Sequence, residues 1–419
     1  MTNSTSNADS TNSARLVSLD QFRGYTVAGM FLVNYFGHFS VAPPQTGACP
    51  QILRHTHDYC SYADTIMPHF LFAVGFALRL TFGRRMQTQG SVAAYWRMFR
   101  RMLGLILVSL IVYQVGARAQ NWEQLKDMGF WNAIKEPLKR DWFQTLMHIA
   151  VTTLWILPVI HGRVSTRIYW LLFSAGAHVV LSYWFNFIWV NSPPNGIDGG
   201  PLGFLTWSIP ALVGSFACDA FVNWKQSDVS VIQRIASMSA VAMLLMLVGY
   251  ALSCGTRLYD VPADKVEMYR NVKLARDPVW PLEVRVRDKL DGATVMDLLA
   301  EPPFVKPPSH TERKWNYWMM SQRAGTLSYV VFTAGLSLIV YVLFFVVCDL
   351  GELQIPFFRT LGTNALLGYV LHGMVGDAVQ RFAPKDAPEW YAYGSLVIFF
   401  GINWLILRSF EKQGVFPRV

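Results

Sequence analysis

Apolar residues recur in ten stretches, near 24–39, 66–82, 102–116, 143–160, 168–188, 204–222, 235–252, 327–348, 364–379 and 391–406, with charged and polar residues gathered between them. A helix needs about 20 mainly apolar residues to cross the hydrocarbon core, because it rises about 1.5 Å per residue and must pair its own backbone groups. The pattern predicts an all-α, polytopic integral membrane protein with about ten transmembrane helices. The first, fourth and ninth runs are the weakest, being short or carrying polar residues. Residues 253–322 break the rhythm with Pro, charge and Trp, and are expected to form one outward insertion. A short helix is expected there at 291–299, with Asp291 as its N-cap. The chain thus divides into a tail at 1–13, helices one to seven at 14–252, the insertion at 253–322, and helices eight to ten at 323–419. The tail is rich in Ser, Thr and Asn, lacks an apolar h-region, and is expected to be disordered and cytoplasmic.

Composition strengthens this picture. Hydrophobic residues make up 53% of the chain and charged ones only 15%, against about 25% charged in soluble proteins. That excludes disorder, a disulfide scaffold and an ordinary soluble enzyme. The net charge of +9 does not form one basic stripe, so nucleic acid is not an expected partner. Lys and Arg collect instead in alternate short loops: Arg84, Arg85, Arg97, Arg100 and Arg101, then Arg163 and Arg167, Lys225 and Arg234, and Arg408, Lys412 and Arg418. Cations are retained on the cytoplasmic side during insertion, which predicts both termini inside and residence in the cytoplasmic (inner) membrane. The basic loop at 126–140 is the exception to this distribution.

Polar groups are costly within spans and mark candidate chemistry. Asp20, Arg23, Asn34, His55, His57, Asp58, Asp64 and His69 lie close together near the start of the chain. Asp20 and Arg23 also fit an ion pair at a helix start, and Asn34 an interhelical hydrogen bond. His57 and His69 also fit polar positions between helices. His55 precedes a helix headed by Asp64, whose carboxylate would fix its tautomer and raise its basicity. His55, His57 and Asp58 are a weaker candidate for a divalent metal, since the usual zinc spacings are absent. No nucleophile elbow, Walker loop or dinucleotide fingerprint stands in a suitable context. Cys49 and Cys60 flank His55 and are read either as a disulfide or as two free thiols.

The stretch 18–24 (SLDQFRG), followed by 30–34 (MFLVN), resembles the opening of the heparan-α-glucosaminide N-acetyltransferase catalytic domain family, within the transmembrane acyltransferase superfamily. The resemblance continues in order through 63–68 (ADTIMP), 70–75 (FLFAVG), 147–150 (MHIA), 202–211 (LGFLTWSIPA), 328–335 (SYVVFTAG) and 361–369 (LGTNALLGY). It implies transfer of an acetyl or acyl group from cytoplasmic acetyl-CoA, as co-substrate and without a metal, to an amine or hydroxyl of an extracytoplasmic saccharide. The histidine that resembles the family's catalytic one is His55, with His57 the alternative; Asn34 and Asp64 match its other active-site polar groups. Between His55 and Asp64 the chain departs from the family pattern, with 58–60 (DYC) in place of the usual Trp-x-Gly, and before Ser328 it has 325–327 (GTL) where Trp-Thr-Ser is usual.

From charge chemistry, the donor's phosphates would be met by Arg23, Arg84, Arg85, Arg97, Arg100 and Arg101, residues that otherwise serve only to fix orientation. Outward-facing Trp122, Trp131, Trp142, Trp315 and Trp318 would stack on sugars or sit in an interfacial belt. Asn364 is a further candidate for a polar tunnel. The bilayer is the expected surrounding; a homo-oligomer is neither required nor excluded. The main rival is a proton-coupled secondary transporter of a small polar solute. It is disfavoured by the absence of an internal repeat and by the crowding of ionisable residues between Asp20 and His69. A structural or receptor-like membrane protein is the third alternative.

Overall fold

The computed structural model describes residues 16–39, 48–222, 224–226 and 228–416. The tail at 1–13 and Arg418 lie outside the described residues. Among those described, the chain is all-helical, with 69% of it in helices and no strands. The elements are α1 (Val17–Gly37), α2 (Tyr62–Gln89), α3 (Ser91–Val112), α4 (Trp122–Leu138), α5 (Thr145–Ile156), α6 (Val164–Leu181), α7 (Phe187–Asn191), α8 (Phe204–Phe221), α9 (Val231–Cys254), α10 (Glu283–Leu290), α11 (Val295–Leu298), α12 (Leu327–Phe345), α13 (Pro356–Thr363), α14 (Ala365–Gln380) and α15 (Glu389–Lys412). A π-helical turn at Ser182–Asn186 joins α6 to α7.

Each apolar run of the sequence falls largely on a helix. Among the described residues, six helical segments are long and apolar enough to cross a bilayer: α2, α6 with α7, α8 with its flanking turns, α9, α12 and α15. The others fall short for visible reasons. The helix α1 carries Asp20, Gln21, Arg23 and Asn34, and α3 carries Arg97, Arg100 and Arg101. The helix α5 has 12 residues and α14 has 16, which at about 1.5 Å per residue is less than the hydrocarbon thickness of about 30 Å.

Burial separates the helices by position. The helices α2, α8 and α12 are buried along most of their length and form the centre. By contrast, α9 buries only Ala242, Gly249 and Ser253, leaving Leu244, Leu247 and Val248 exposed on an apolar surface. Close backbone approach holds the centre together. A Cβ on Gly75 of α2 would meet the Ala211 carbonyl oxygen of α8 at 1.7 Å, and one on Gly214 would meet that of Phe72 at 2.0 Å. Small residues at helix crossings permit this packing, which in lipid replaces the hydrophobic driving force.

The insertion caps one end of the bundle, here called the cap end. Within it, the buried Arg313 guanidinium binds Asp260 at 2.6 Å and also pairs with Glu301. Lys314 Nζ donates to the carbonyl oxygens of Tyr269, Val272 and His310 at 2.7, 2.8 and 2.9 Å. These bonds satisfy cations that would otherwise be costly to bury. The stretch 291–299 is helical in part, as α11, but its expected N-cap is corrected: Asp291 ends α10 instead of starting a helix. Gly292 follows at φ 68°, and Thr294 caps the single-turn α11 reciprocally with Asp297. A Thr with an acid three residues later offers two reciprocal cap bonds, which a lone Asp291 before a left-handed glycine lacks.

Candidate active site

The start of α2 organises the site. Ser61 and Asp64 form a reciprocal capping box, so the N-cap N–H of Ser61 bonds a carboxylate favoured by the positive end of the helix dipole. Asp64 is fully buried. Its Oδ2 accepts from the Ser61 N–H at 3.0 Å and lies 2.9 and 2.8 Å from the hydroxyls of Ser61 and Thr56. Its Oδ1 faces His55 Nδ1 at 3.0 Å.

The same His55 Nδ1 lies 3.0 Å from Gln322 Oε1, and Gln322 Nε2 donates to Asp198 Oδ1 at 3.0 Å. Both partners of Nδ1 are acceptors, so the proton of the neutral ring sits there and Nε2 keeps its lone pair. The side chain retains 46% of its surface, and its surroundings include a cavity. Burial alone would depress its basicity. The hydrogen bond and charge of Asp64, helped by Asp198, outweigh burial and raise the pKa above the ordinary histidine value. Asp198 itself is buried in a tight turn, with φ of 52° and glycines at 82° and 60° after it. Burial pushes its carboxyl up to about 7, against the opposing charge of His55.

A cavity of about 490 Å³ brings together His55, His57, Asn34, Asp198 and Gln322. Among the described residues His57 has no carboxylate in ion-pair contact, and burial and the charge of Arg323 push it down to about 4. Asn34 Nδ2 donates to His372 Nε2 at 2.9 Å, while His372 Nδ1 donates to the Tyr369 carbonyl. Asn34 is therefore held by an interhelical bond and also lines the cavity.

A second cavity of about 270 Å³ lies between α1, α2, α3, α5 and α14, with Arg23, Arg85 and Arg101 on its wall and otherwise mainly apolar residues such as Leu78, Met102 and Leu105. Phe70 and Tyr369 line both cavities. Their rings are 6.2 Å apart and edge-on, and the Tyr369 hydroxyl is hydrogen-bonded to that of Tyr113. Arg84, Arg97 and Arg100 line neither cavity. Arg97 instead donates to Gln89 at 3.3 Å.

The remaining candidates fall elsewhere. His69 is buried in the core, 2.7 Å from Ser337 Oγ across α2 and α12. Asp20 and Arg23 approach to 3.9 Å at the start of α1. Asn364 is buried, its side chain without a hydrogen-bond partner among the described residues, and lies on neither cavity. Trp122 and Trp131 are exposed, whereas Trp318 donates to the Val279 carbonyl at 3.0 Å. Cys49 and Cys60 are free thiols, so of the two readings the structure has the unpaired one. Among the described residues, no three His, Cys, Asp or Glu side chains converge as metal ligands.

Sequence reasoning missed Asp198, Gln322, Arg140, Arg323, Tyr113 and Tyr369 as members of the site. One local signal existed for Asp198, an acid followed by Gly199 and Gly200, which marks a turn able to hold a carboxylate in a left-handed conformation. No protein-family model matches this chain, and no curated protein matches it.

Proposed function

We propose that this protein is an integral membrane acyltransferase that moves an acetyl or other acyl group from acyl-CoA to an amine or hydroxyl of a saccharide. The observation that carries this reading is the pair of cavities sharing Phe70 and Tyr369, one holding a carboxylate-bound imidazole and the other arginines. CoA is too highly charged to dissolve in hydrocarbon, so an inner membrane enzyme would take it from the cytoplasm at the arginine end. The acceptor would meet it from the opposite side. This arrangement goes with about ten crossings, both termini inside and the cap outside.

In the mechanism, His55 Nε2 takes the proton of the acceptor amine or hydroxyl as its lone pair attacks the thioester carbonyl. Asp64 holds Nδ1–H and stabilises the imidazolium that forms. Asn34 donates an N–H to the oxyanion of the tetrahedral intermediate. The C–S bond then breaks, and His55 returns the proton to the departing thiolate. The guanidinium groups of Arg23, Arg85 and Arg101 would neutralise the donor's phosphates. His57, left a weak base by burial and the charge of Arg323 and lacking a carboxylate partner among the described residues, suits this role less well.

The test is release of free thiol from acetyl-CoA by detergent-purified protein, with and without amino sugars. Acceptor-dependent release is the expected result. Proton-coupled transport is the second reading, favoured by the aromatic neck between two cavities, which would serve as a gate. No thiol release from any acyl donor, alongside proton-driven uptake of a sugar in proteoliposomes, would select transport and sink the first.

A further inference from the structure

The cap-end cavity carries two guanidinium groups that the acyl-transfer chemistry does not use. Arg140 follows α4, and Arg323 follows Gln322 at the end of the insertion; both line the cavity with His55. Neither has a carboxylate within ion-pair distance among the described residues. The Arg140 side chain reaches only the Asn195 carbonyl, at 3.4 Å. The half-buried Arg323 guanidinium lies over the Trp315 ring, 5.5 Å from its centroid. The two cations sense each other: burial and the charge of Arg140 bring Arg323 down to about 10. Asp58 opposes this only from a distance, and Asp198 is engaged by Gln322. Like charges held together in a partly enclosed space are unfavourable until an anion joins them.

We propose that Arg140 and Arg323 form an anion subsite for the acceptor, which is therefore an acidic saccharide bearing a carboxylate, phosphate or sulfate near its nucleophilic amine or hydroxyl. Guanidinium groups suit all three anions through paired N–H donors. The pair shares its chamber with His55 Nε2, whereas the arginines available to a nucleotide donor lie in the other cavity. Trp315 holds the Arg323 plane from below, which limits its freedom before an anion arrives. This assignment rests on the acyltransferase reading for the word acceptor, but its test is binding.

Binding to the purified full-length protein in detergent is measured by titration calorimetry with glucosamine, glucosamine 6-phosphate, muramic acid and adenosine 3′,5′-bisphosphate. At least one acidic amino sugar is expected to bind about tenfold or more tightly than glucosamine. Arg140→Gln and Arg323→Gln should each erase that preference, and Arg323→Lys should keep part of it. Should the Arg323 variants fail to fold, the exposed Arg140 decides alone. Equal affinity for charged and neutral sugars, or a preference that survives Arg140→Gln, overturns the proposal. So does a loss of adenosine 3′,5′-bisphosphate binding in the same variants, which would assign the pair to the donor. Preference for an acidic sugar without any thiol release would leave the subsite standing and sink acyl transfer.

Discussion

At the cap end, the chamber is walled by loop residues as well as helices, and its polar groups are wired to one another: Asp64 to His55, His55 to Gln322, Gln322 to Asp198. At the arginine end, the chamber is walled by helix faces, mostly apolar, with cations on its wall. The difference separates two tasks. A reaction centre needs groups held within tenths of an ångström, which buried hydrogen bonds provide. A site for a long charged substrate needs apolar length and positive charge, which tolerate looser geometry.

The comparison is broken most directly at its wired end. His55→Ala should lower turnover by about 10²–10⁴-fold, or about 3–5 kcal/mol of transition-state stabilisation, with donor affinity and membrane insertion retained. Normal turnover in that variant, while His57→Ala is inactive, would reassign the role. Next in size, Arg85→Glu combined with Arg101→Glu should raise the donor KM by about 10–100-fold at unchanged kcat, since a charged hydrogen bond is worth about 1.5–3 kcal/mol. A change in insertion alone, with the donor KM intact, would make these residues topological.

A pH profile sharpens the contrast further. His55 must be neutral to act as base, so activity should fall as pH drops through a pKa above the ordinary histidine value. Asp64→Asn removes the main influence raising it and should move this limb to lower pH. The same substitution weakens the cap of α2, at a cost of about 1 kcal/mol seen in thermal unfolding. The smallest effect is expected at Asp198. Its folded pKa of about 7 lies above that of a free carboxyl, so the fold loses stability as pH rises from about 4 to about 7 and then levels. Asp198→Asn should flatten that slope, as read by unfolding temperatures between pH 5 and pH 8.

Much of the fold was legible because apolar runs are local: every run from 24–39 to 391–406 lies largely on a helix. The His55 and Asp64 pair was legible for a similar reason, since they lie nine positions apart and the S-x-x-D box fixes the start of α2. The rest of the site depends on contacts that no window reveals. Gln322 lies 267 positions from His55, at the end of an insertion that is internally tied by the ion pairs of Arg313 with Asp260 and Glu301. Arg23, Arg85 and Arg101 were separable from Arg84, Arg97 and Arg100 only once helix rotation was known. Asp291 was misread because an acidic residue near a helix boundary fits either end until the left-handed Gly292 is placed.

One bond bears on how the chain assembles. The first backbone N–H groups of α1, at Val17 and Ser18, are met by the carboxylate of Asp349, 332 and 331 positions later, at 3.0 and 3.2 Å. Gln21 and Ile355 exchange two more bonds across the same seam. Helix α1 therefore waits for a segment made more than three hundred residues later before its leading edge is sealed. A chain truncated before Asp349 would leave the opening N–H groups of α1 without these acceptors, and the seam between α1 and the start of α13 unmade.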